Sequence, residues 1–304
     1  MNKQVQRNFI IGDNWLYYKI YTGSRTSDMV LQEIIKPITD SLLESGIIDK
    51  WFFIRYADPK PHLRIRFHCP DTKNIGIVMS KLLPALKELS SQDLIWKIQT
   101  DTYSRELERY GQNTIEISET LFFYDSTLIV NLLELNDHDE DGRWQLSLMI
   151  IDNLLDNFGF SIDEKLMFME RLKGSFGAEF GMNKDLNKQI DFKYRKFRYK
   201  IEEMLSVGNY EASEYSEIKN ALHDFNTNIS SLAKVLIHLK ESDLLTIPMH
   251  YLLSSYIHMS MVRLFKSNNR MHEMVIYDFL YRFYKSCKAR GKSEIVCLVE
   301  ENAL

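Results

Sequence analysis

Two arginines one residue apart, Arg64 and Arg66, lie in the segment HLRIRF at 62–67, where basic and apolar side chains alternate. Side chains in a strand repeat every two residues, so Leu63, Ile65, Phe67 and Cys69 share one face while His62, Arg64, Arg66 and His68 share the other. Two guanidinium groups on one side of a strand repel unless something anionic lies between or beside them, and the planar fork of arginine suits bidentate binding of a carboxylate or phosphate. The pattern alone leaves a second reading open, an exposed strand whose arginines pair with surface Asp or Glu. Glu106 and Arg109, in TYSRELERYG at 102–111, sit three apart, so within one helical turn they can pair and orient each other. In YLLSSYIHMSMVRLF at 251–265, Ser254, Ser255 and His258 share one face of an otherwise apolar helix. A histidine there is either a core residue with a single hydrogen bond or a group that moves protons near neutral pH.

The elements that must position these residues follow from hydrophobic periodicity and turn signals. WLYYKIY at 15–21 reads as a strand, 27–46 as a helix that starts at Ser27 and ends at Gly46, 50–69 as a hairpin, 74–89 as a second helix and 94–103 as another strand. Strand, helix, two strands, helix, strand is the ferredoxin-like order, one antiparallel sheet with both helices on one face. The other face would carry Lys19, Arg64, Arg66 and Lys97 and needs a cover. From about 115 onward helical periods dominate, at 117–135, 143–158, 161–175, 184–206, 214–241, 246–266 and 270–288, with Ser161 and Glu164 at capping-box spacing. The reading is therefore an α+β chain, with a ferredoxin-like part over 1–114 and a mostly helical part over 115–304, packed together as one unit with a cleft at the junction. Acidic NDHDEDG at 136–142 is expected to be a loop and not a metal site, because it lacks the ligand spacing of a calcium loop. The aromatic and basic segment FKYRKFRYKIEEML at 192–205 reads as an amphipathic helix with extended Lys and Arg stems in preference to a nucleic-acid surface.

Composition narrows the function classes. In 304 residues, 45% hydrophobic and 26% charged, neither disorder nor a membrane class is favoured. No apolar run approaches the roughly 18 residues of a membrane span, and the polar start MNKQVQRN lacks the shape of a signal peptide, so the expected compartment is the cytoplasm. A net charge of -4 gives no reason to expect direct nucleic-acid binding. Cys69, Cys287 and Cys297 form no CxxC pair, which argues against a disulfide framework and a structural zinc site. GxGxxG, the P-loop, HExxH and GxSxG are all missing. Side-chain chemistry without metal or cofactor is the expectation.

The segments GDNWLYYKIY (12–21), WFFIRYADPKPHLRIRF (51–67), SRELERYG (104–111) and SSYIHMSMVRL (254–264), in that order, resemble the C-terminal elimination domain of class I lanthipeptide dehydratases, also found as free-standing thiopeptide-type bacteriocin biosynthesis proteins. The resemblance covers nearly the whole chain; Gln112 stands where the family more often has a second glycine after Gly111. It implies a lyase that expels glutamate from a glutamylated Ser or Thr of a precursor peptide to leave dehydroalanine or dehydrobutyrine. A separate glutamyl-tRNA-dependent protein would attach the glutamate, making this chain one component of a split dehydratase. The resemblance assigns catalysis to Arg66, Arg109 and His258, with Arg64 and Glu106 beside them as substrate-binding residues. Arg66 and Arg109 would meet the glutamyl group and the developing negative charge, and His258 would transfer a proton as base or acid. The same fold hosts enzymes that form the nitrogen ring of thiopeptides by cycloaddition, and a non-catalytic peptide-binding subunit is a further alternative. Both arginines together with the histidine favour elimination, because a glutamate leaving group demands a carboxylate site. A homodimer is allowed by the sequence but not required by it.

Overall fold

The computed structural model describes residues 5–135, 142–205 and 215–291. These divide into two compact units, and every residue singled out above for chemistry falls in the first. That unit runs through β1 (Asn8–Phe9), β2 (Trp15–Thr22), α1 (Thr26–Met29), α2 (Lys36–Glu44), β3 (Lys50–Ala57), β4 (Pro61–His68), α3 (Ile75–Ser91), β5 (Ile95–Asp101), β6 (Tyr103–Ser104), α4 (Leu107–Tyr110) and α5 (Ile115–Leu135). The second unit holds α6 (Arg143–Asn157), α7 (Ile162–Glu179), α8 (Lys184–Leu205) and most of α9 (Ser216–Glu241). From Lys234 the chain returns to the first unit for α10 (Met249–Leu264), and α11 (Asn269–Ala289) belongs again to the second. The fold is α+β.

The main sheet has the order β3-β4-β2-β5 with every neighbouring pair antiparallel, the ferredoxin-like arrangement expected from the order of elements. Register places Tyr17 and Phe52 opposite Arg66, Lys19 and Ile54 opposite Arg64, and Lys97 opposite Tyr21, so the basic row shares one face with Lys19 and Lys97 as the two-residue period requires. On the other face Tyr18 and Ile98 meet α3, and Arg55 reaches Ser27 and Asp28 in α1. The helix expected over 27–46 is interrupted by a π-helical stretch, Val30–Ile35, in which Lys36 N–H bonds to the carbonyl of Leu31. Pro37 follows directly; it has no N–H to give to an α-helical partner and its ring crowds the carbonyl four residues back, so a wider turn relieves both problems.

The face bearing Arg66 is covered at one end by an aromatic layer. Phe52 packs edge-on against Phe122 of α5 at 5.5 Å, and Phe122 in turn against Tyr110 of α4 at 5.0 Å and Tyr256 of α10 at 6.2 Å. Offset and edge-to-face contacts of this kind are the favoured geometry for ring quadrupoles. Helices α5 and α10, which follow the ferredoxin-like part in sequence, are thus part of the cover that this face needed. They also close the outer edge of β3: Phe53 N–H donates to Ser126 Oγ at 3.2 Å, and Phe53 C=O accepts from Arg263 Nε at 2.8 Å. Unpaired backbone groups on an edge strand are otherwise a template for another chain. Arg263, 1% exposed, also pairs with Asp125 at 2.7 Å, while Ser260 Oγ donates to the same carboxylate at 2.5 Å.

The second unit is held by buried polar clusters. Lys165 reaches both Asp152 and Asp156 at 2.6 Å, and Tyr284 donates to Asp152 at 2.7 Å. The capping box expected at Ser161 and Glu164 opens α7. In α8, Ile190, Tyr194, Ile201, Met204 and Leu205 form the buried stripe of an amphipathic helix, the arrangement expected from its sequence. The acidic segment 136–141 lies outside the described residues. No described helix is long and apolar enough to cross a membrane.

Removing one member of a buried ion pair strands the other, so Asp125→Ala should lower the unfolding free energy by about 3–5 kcal/mol. Asp125→Leu combined with Arg263→Met should lose less than the sum of those two changes made singly; additive effects in a denaturant-unfolding double-mutant cycle of these substitutions would show that the pair does not couple. Burial, with the negative charge of Asp49, pushes the Cys69 thiol up to about 11. At pH 8 roughly one molecule in a thousand then carries the thiolate. Cys69 should therefore resist alkylation in the native chain and label only on unfolding, as peptide mass mapping would reveal.

Candidate functional site

Arg66, near the end of β4, is 9% exposed, and its guanidinium lies among three aromatic rings: Tyr17 at 4.4 Å, Tyr103 at 4.9 Å and Phe52 at 5.1 Å. Ring faces are attractive to a cation, but they do not accept the in-plane N–H bonds of a guanidinium in the way an oxygen does. No described residue supplies an acceptor to Arg66 Nε, which is fully buried. A cavity of about 40 Å³ opens beside it, lined by Arg66, Glu106, Tyr103, Tyr110, Met259 and Arg263 among others. Such a space takes roughly one or two water-sized groups. It is too small to enclose an acylated side chain.

The rings around Arg66 are themselves fixed. Tyr103 hydroxyl donates to Glu119 Oε1 at 2.9 Å, and Arg105 grips both oxygens of the same carboxylate, at 2.7 and 2.6 Å. Glu119 is 1% exposed, so this bidentate pair is shielded from water and holds Tyr103 against Arg66. Burial first, and then the charge of Glu119, drive the Tyr103 hydroxyl well above its usual range; burial takes Tyr110 up to about 12. Neither phenol accepts or releases protons readily near neutral pH.

Glu106 and Arg109 pair at 3.5 Å across the short helix α4, as their spacing predicts. Arg109 Nε donates to Ser255 Oγ on α10 at 3.1 Å. Ser255 lies one turn before His258, so this contact brings Arg109 to the stretch of α10 that carries the imidazole. His258 is half-buried, and its neighbour Met259 lines the cavity beside Arg66. The chain turns after α4 at Gly111, where φ is +78° and a Cβ would stand 2.5 Å from Thr246 Oγ1; only glycine fits there, and Gln112 after it is accommodated. Arg64 takes a separate position on the same sheet face. It stacks on Tyr56 at 3.5 Å and donates from Nε to His62 at 3.1 Å, instead of contacting Glu106 or Arg109. Lys19 is paired with Asp101.

Arg66 and Glu106 are therefore brought to one cavity, Arg109 is joined to α10, and Arg64 stands apart from both. Sequence reasoning missed the ring cage and its support, Tyr17, Phe52, Tyr103 and Glu119. Tyr17 and Phe52 were within reach through cross-strand register. Glu119 had no local signal, because a carboxylate within a long apolar helix reads as an ordinary surface position until its partner is known. A larger cavity of about 370 Å³ in the second unit, lined by Asp152, Asp156, Lys219 and His223 among others, contains none of the residues singled out for chemistry.

The sequence model of the lantibiotic biosynthesis dehydratase C-terminal family matches residues 15–284. This chain belongs to that family. Nisin biosynthesis protein NisB of Lactococcus lactis subsp. lactis is 33% identical over 135 residues, 44% of this chain and 13% of that protein. Subtilin biosynthesis protein SpaB of Bacillus subtilis is 26% identical over 183 residues, 59% of this chain and 18% of that protein. The match thus spans less than a fifth of either relative. Among solved structures, the tRNA-dependent lantibiotic dehydratase MibB from Microbispora sp. 107891 superposes with a TM-score of 0.72 at 21% identity, covering 93% of this chain and 29% of that one. The pyridine synthase TbtD from thiomuracin biosynthesis does so with a TM-score of 0.62 at 12% identity, covering 90% of this chain and 99% of that one. These two likenesses concern the fold alone; the family is one of lantibiotic biosynthesis dehydratases.

Glu119→Gln, which keeps shape but removes the charge that Arg105 grips, should cost about 1–3 kcal/mol of stability. Tyr103→Phe, which keeps the ring beside Arg66, should cost less. Thermal unfolding of the two variants distinguishes them, and equal losses would remove the ordering argued above.

Proposed function

We propose that this chain is the glutamate-eliminating lyase of a lanthipeptide-type dehydratase, acting in the cytoplasm on a precursor peptide whose Ser or Thr has been glutamylated by a separate glutamyl-tRNA-dependent protein. The observation that carries the reading is Arg66: a buried guanidinium, caged by rings, with an Nε that no described residue satisfies and a small cavity at its side. Buried charges are normally paired, so a cation held this way is suited to an anion that arrives with the substrate.

The reaction takes a proton from Cα of the acylated residue. The C–H electrons form the Cα=Cβ double bond, the Cβ–O bond breaks, and glutamate leaves through its ester carboxylate. Negative charge builds on the peptide carbonyl and then on the leaving group. Arg66 and Arg109 would stabilise these two charges, Glu106 would orient Arg109, Arg64 would bind the glutamyl group, and His258 would carry the proton. Preorganised cations at developing charge act without reorganising at the moment of reaction. Family membership supports dehydration chemistry, and the carboxylate-ready Arg66 supports glutamate as the group expelled.

The test is incubation of the full chain with a synthetic glutamylated peptide followed by mass spectrometry. Loss of one glutamic acid per site is expected. Arg66→Ala, Arg109→Ala and His258→Ala should each slow that loss by roughly 10²–10³-fold, with the ester accumulating. Unchanged ester with tight binding would support a non-catalytic peptide-binding subunit, and ring formation from a peptide carrying two dehydroalanines would support a cycloaddition enzyme; either result overturns the proposal.

A further inference from the structure

His62 stands on the same strand face as Arg64 and Arg66 and is 3% exposed. Its ring stacks on Tyr21 at 4.7 Å and meets Tyr56 edge-on at 5.6 Å. Both ring nitrogens are engaged. Nδ1 lies 2.9 Å from the carbonyl oxygen of Lys60, and Nε2 lies 3.1 Å from Arg64 Nε. A guanidinium only donates, so Nε2 must accept; a carbonyl only accepts, so Nδ1 must carry the proton. The two contacts independently require the same neutral tautomer.

We propose that His62 is a positioning residue that fixes the orientation of Arg64 for a substrate carboxylate, an inference that rests on the elimination reading above. With Nε committed to His62 and the guanidinium plane lying over Tyr56 at 3.5 Å, the donors left to Arg64 are the paired Nη groups. These form the end-on fork that binds a carboxylate through two parallel bonds. An arginine without such a partner samples many rotamers and loses entropy on binding; one already clamped loses less. The groups facing the imidazole are Arg64, Lys19, Asp58, Tyr21 and Tyr56. Burial first, and then the cations Arg64 and Lys19, hold its pKa below the usual histidine value, against the opposing pull of the Lys60 carbonyl and Asp58. The neutral form that Arg64 needs is thus the form present at neutral pH.

Two measurements decide the matter. In the full chain, nitrogen NMR of His62 should report the Nδ1-protonated tautomer, and an Nε2-protonated or doubly protonated ring at neutral pH would overturn the contact whatever reaction the chain performs. Steady-state kinetics with the synthetic glutamylated peptide should then show KM raised roughly tenfold or more in His62→Phe, which keeps the stacked ring but accepts no bond, with a smaller change in kcat. His62→Gln, whose side-chain oxygen stands near the place of Nε2, should recover KM to within about threefold of the parent. A Phe variant equal to the parent, a Gln variant as impaired as Phe, or a loss confined to kcat would each overturn the positioning role. A parent chain without elimination activity but with the expected tautomer would instead overturn the reaction and leave the His62–Arg64 contact standing.

Discussion

The buried ion pair between Arg263 and Asp125 is the constraint from which the geometry of the first unit follows. Arg263 is on α10, Asp125 is on α5, and the same guanidinium donates to the backbone of β3 through Phe53. One side chain thereby ties two helices to the edge of the sheet. The tie is doubled in the opposite sense: Arg55 of β3 donates to the carbonyl of Arg263 at 2.7 Å, and its other nitrogens reach Ser27 and Asp28, the latter also held by Lys266 at 2.8 Å. A charge so deep in the protein is tolerable only when its partner and hydrogen bonds are all in place, which limits how α10 can lie against the sheet.

Arg263 and Arg66 line the same small cavity, and the two are partnered in opposite ways. Arg263 has its carboxylate, its carbonyl and a serine that braces that carboxylate. Arg66 has ring faces, which lower the cost of burying a cation without supplying an oxygen to its N–H groups. The difference is enforced by what surrounds each: Glu119, which holds the Tyr103 ring beside Arg66, is already gripped at both oxygens by Arg105. A competing anion within the protein is thereby kept occupied.

Much of this was legible in the sequence because it rests on short-range periodicity. The alternation in HLRIRF placed Arg64 and Arg66 on one face, and the observed register agrees. Glu106 and Arg109 pair as a three-residue spacing allows, and the helices after residue 115 lie close to where their apolar periods put them. What was not legible depends on distant partners. The π-helical stretch before Pro37 is a local response that a helical pattern does not reveal. The cage of Tyr17, Phe52 and Tyr103 needs strand pairing, Glu119 needs Arg105, and the burial of Arg263 needs Asp125 138 residues away. A basic residue at the end of an apolar helix looks like a solvated terminus until the carboxylate opposite it is known.

Helix α10 carries Ser255 and His258 on turns near its middle and Arg263 in its last turn. Anchorage therefore falls on two turns of a single rod, Tyr256 bonding Ser118 of α5 at 2.8 Å and Arg263 pairing with Asp125. The half-buried Ser255 and His258 stand beside these ties without forming them, so a scaffold of this shape keeps its seat when those two positions change.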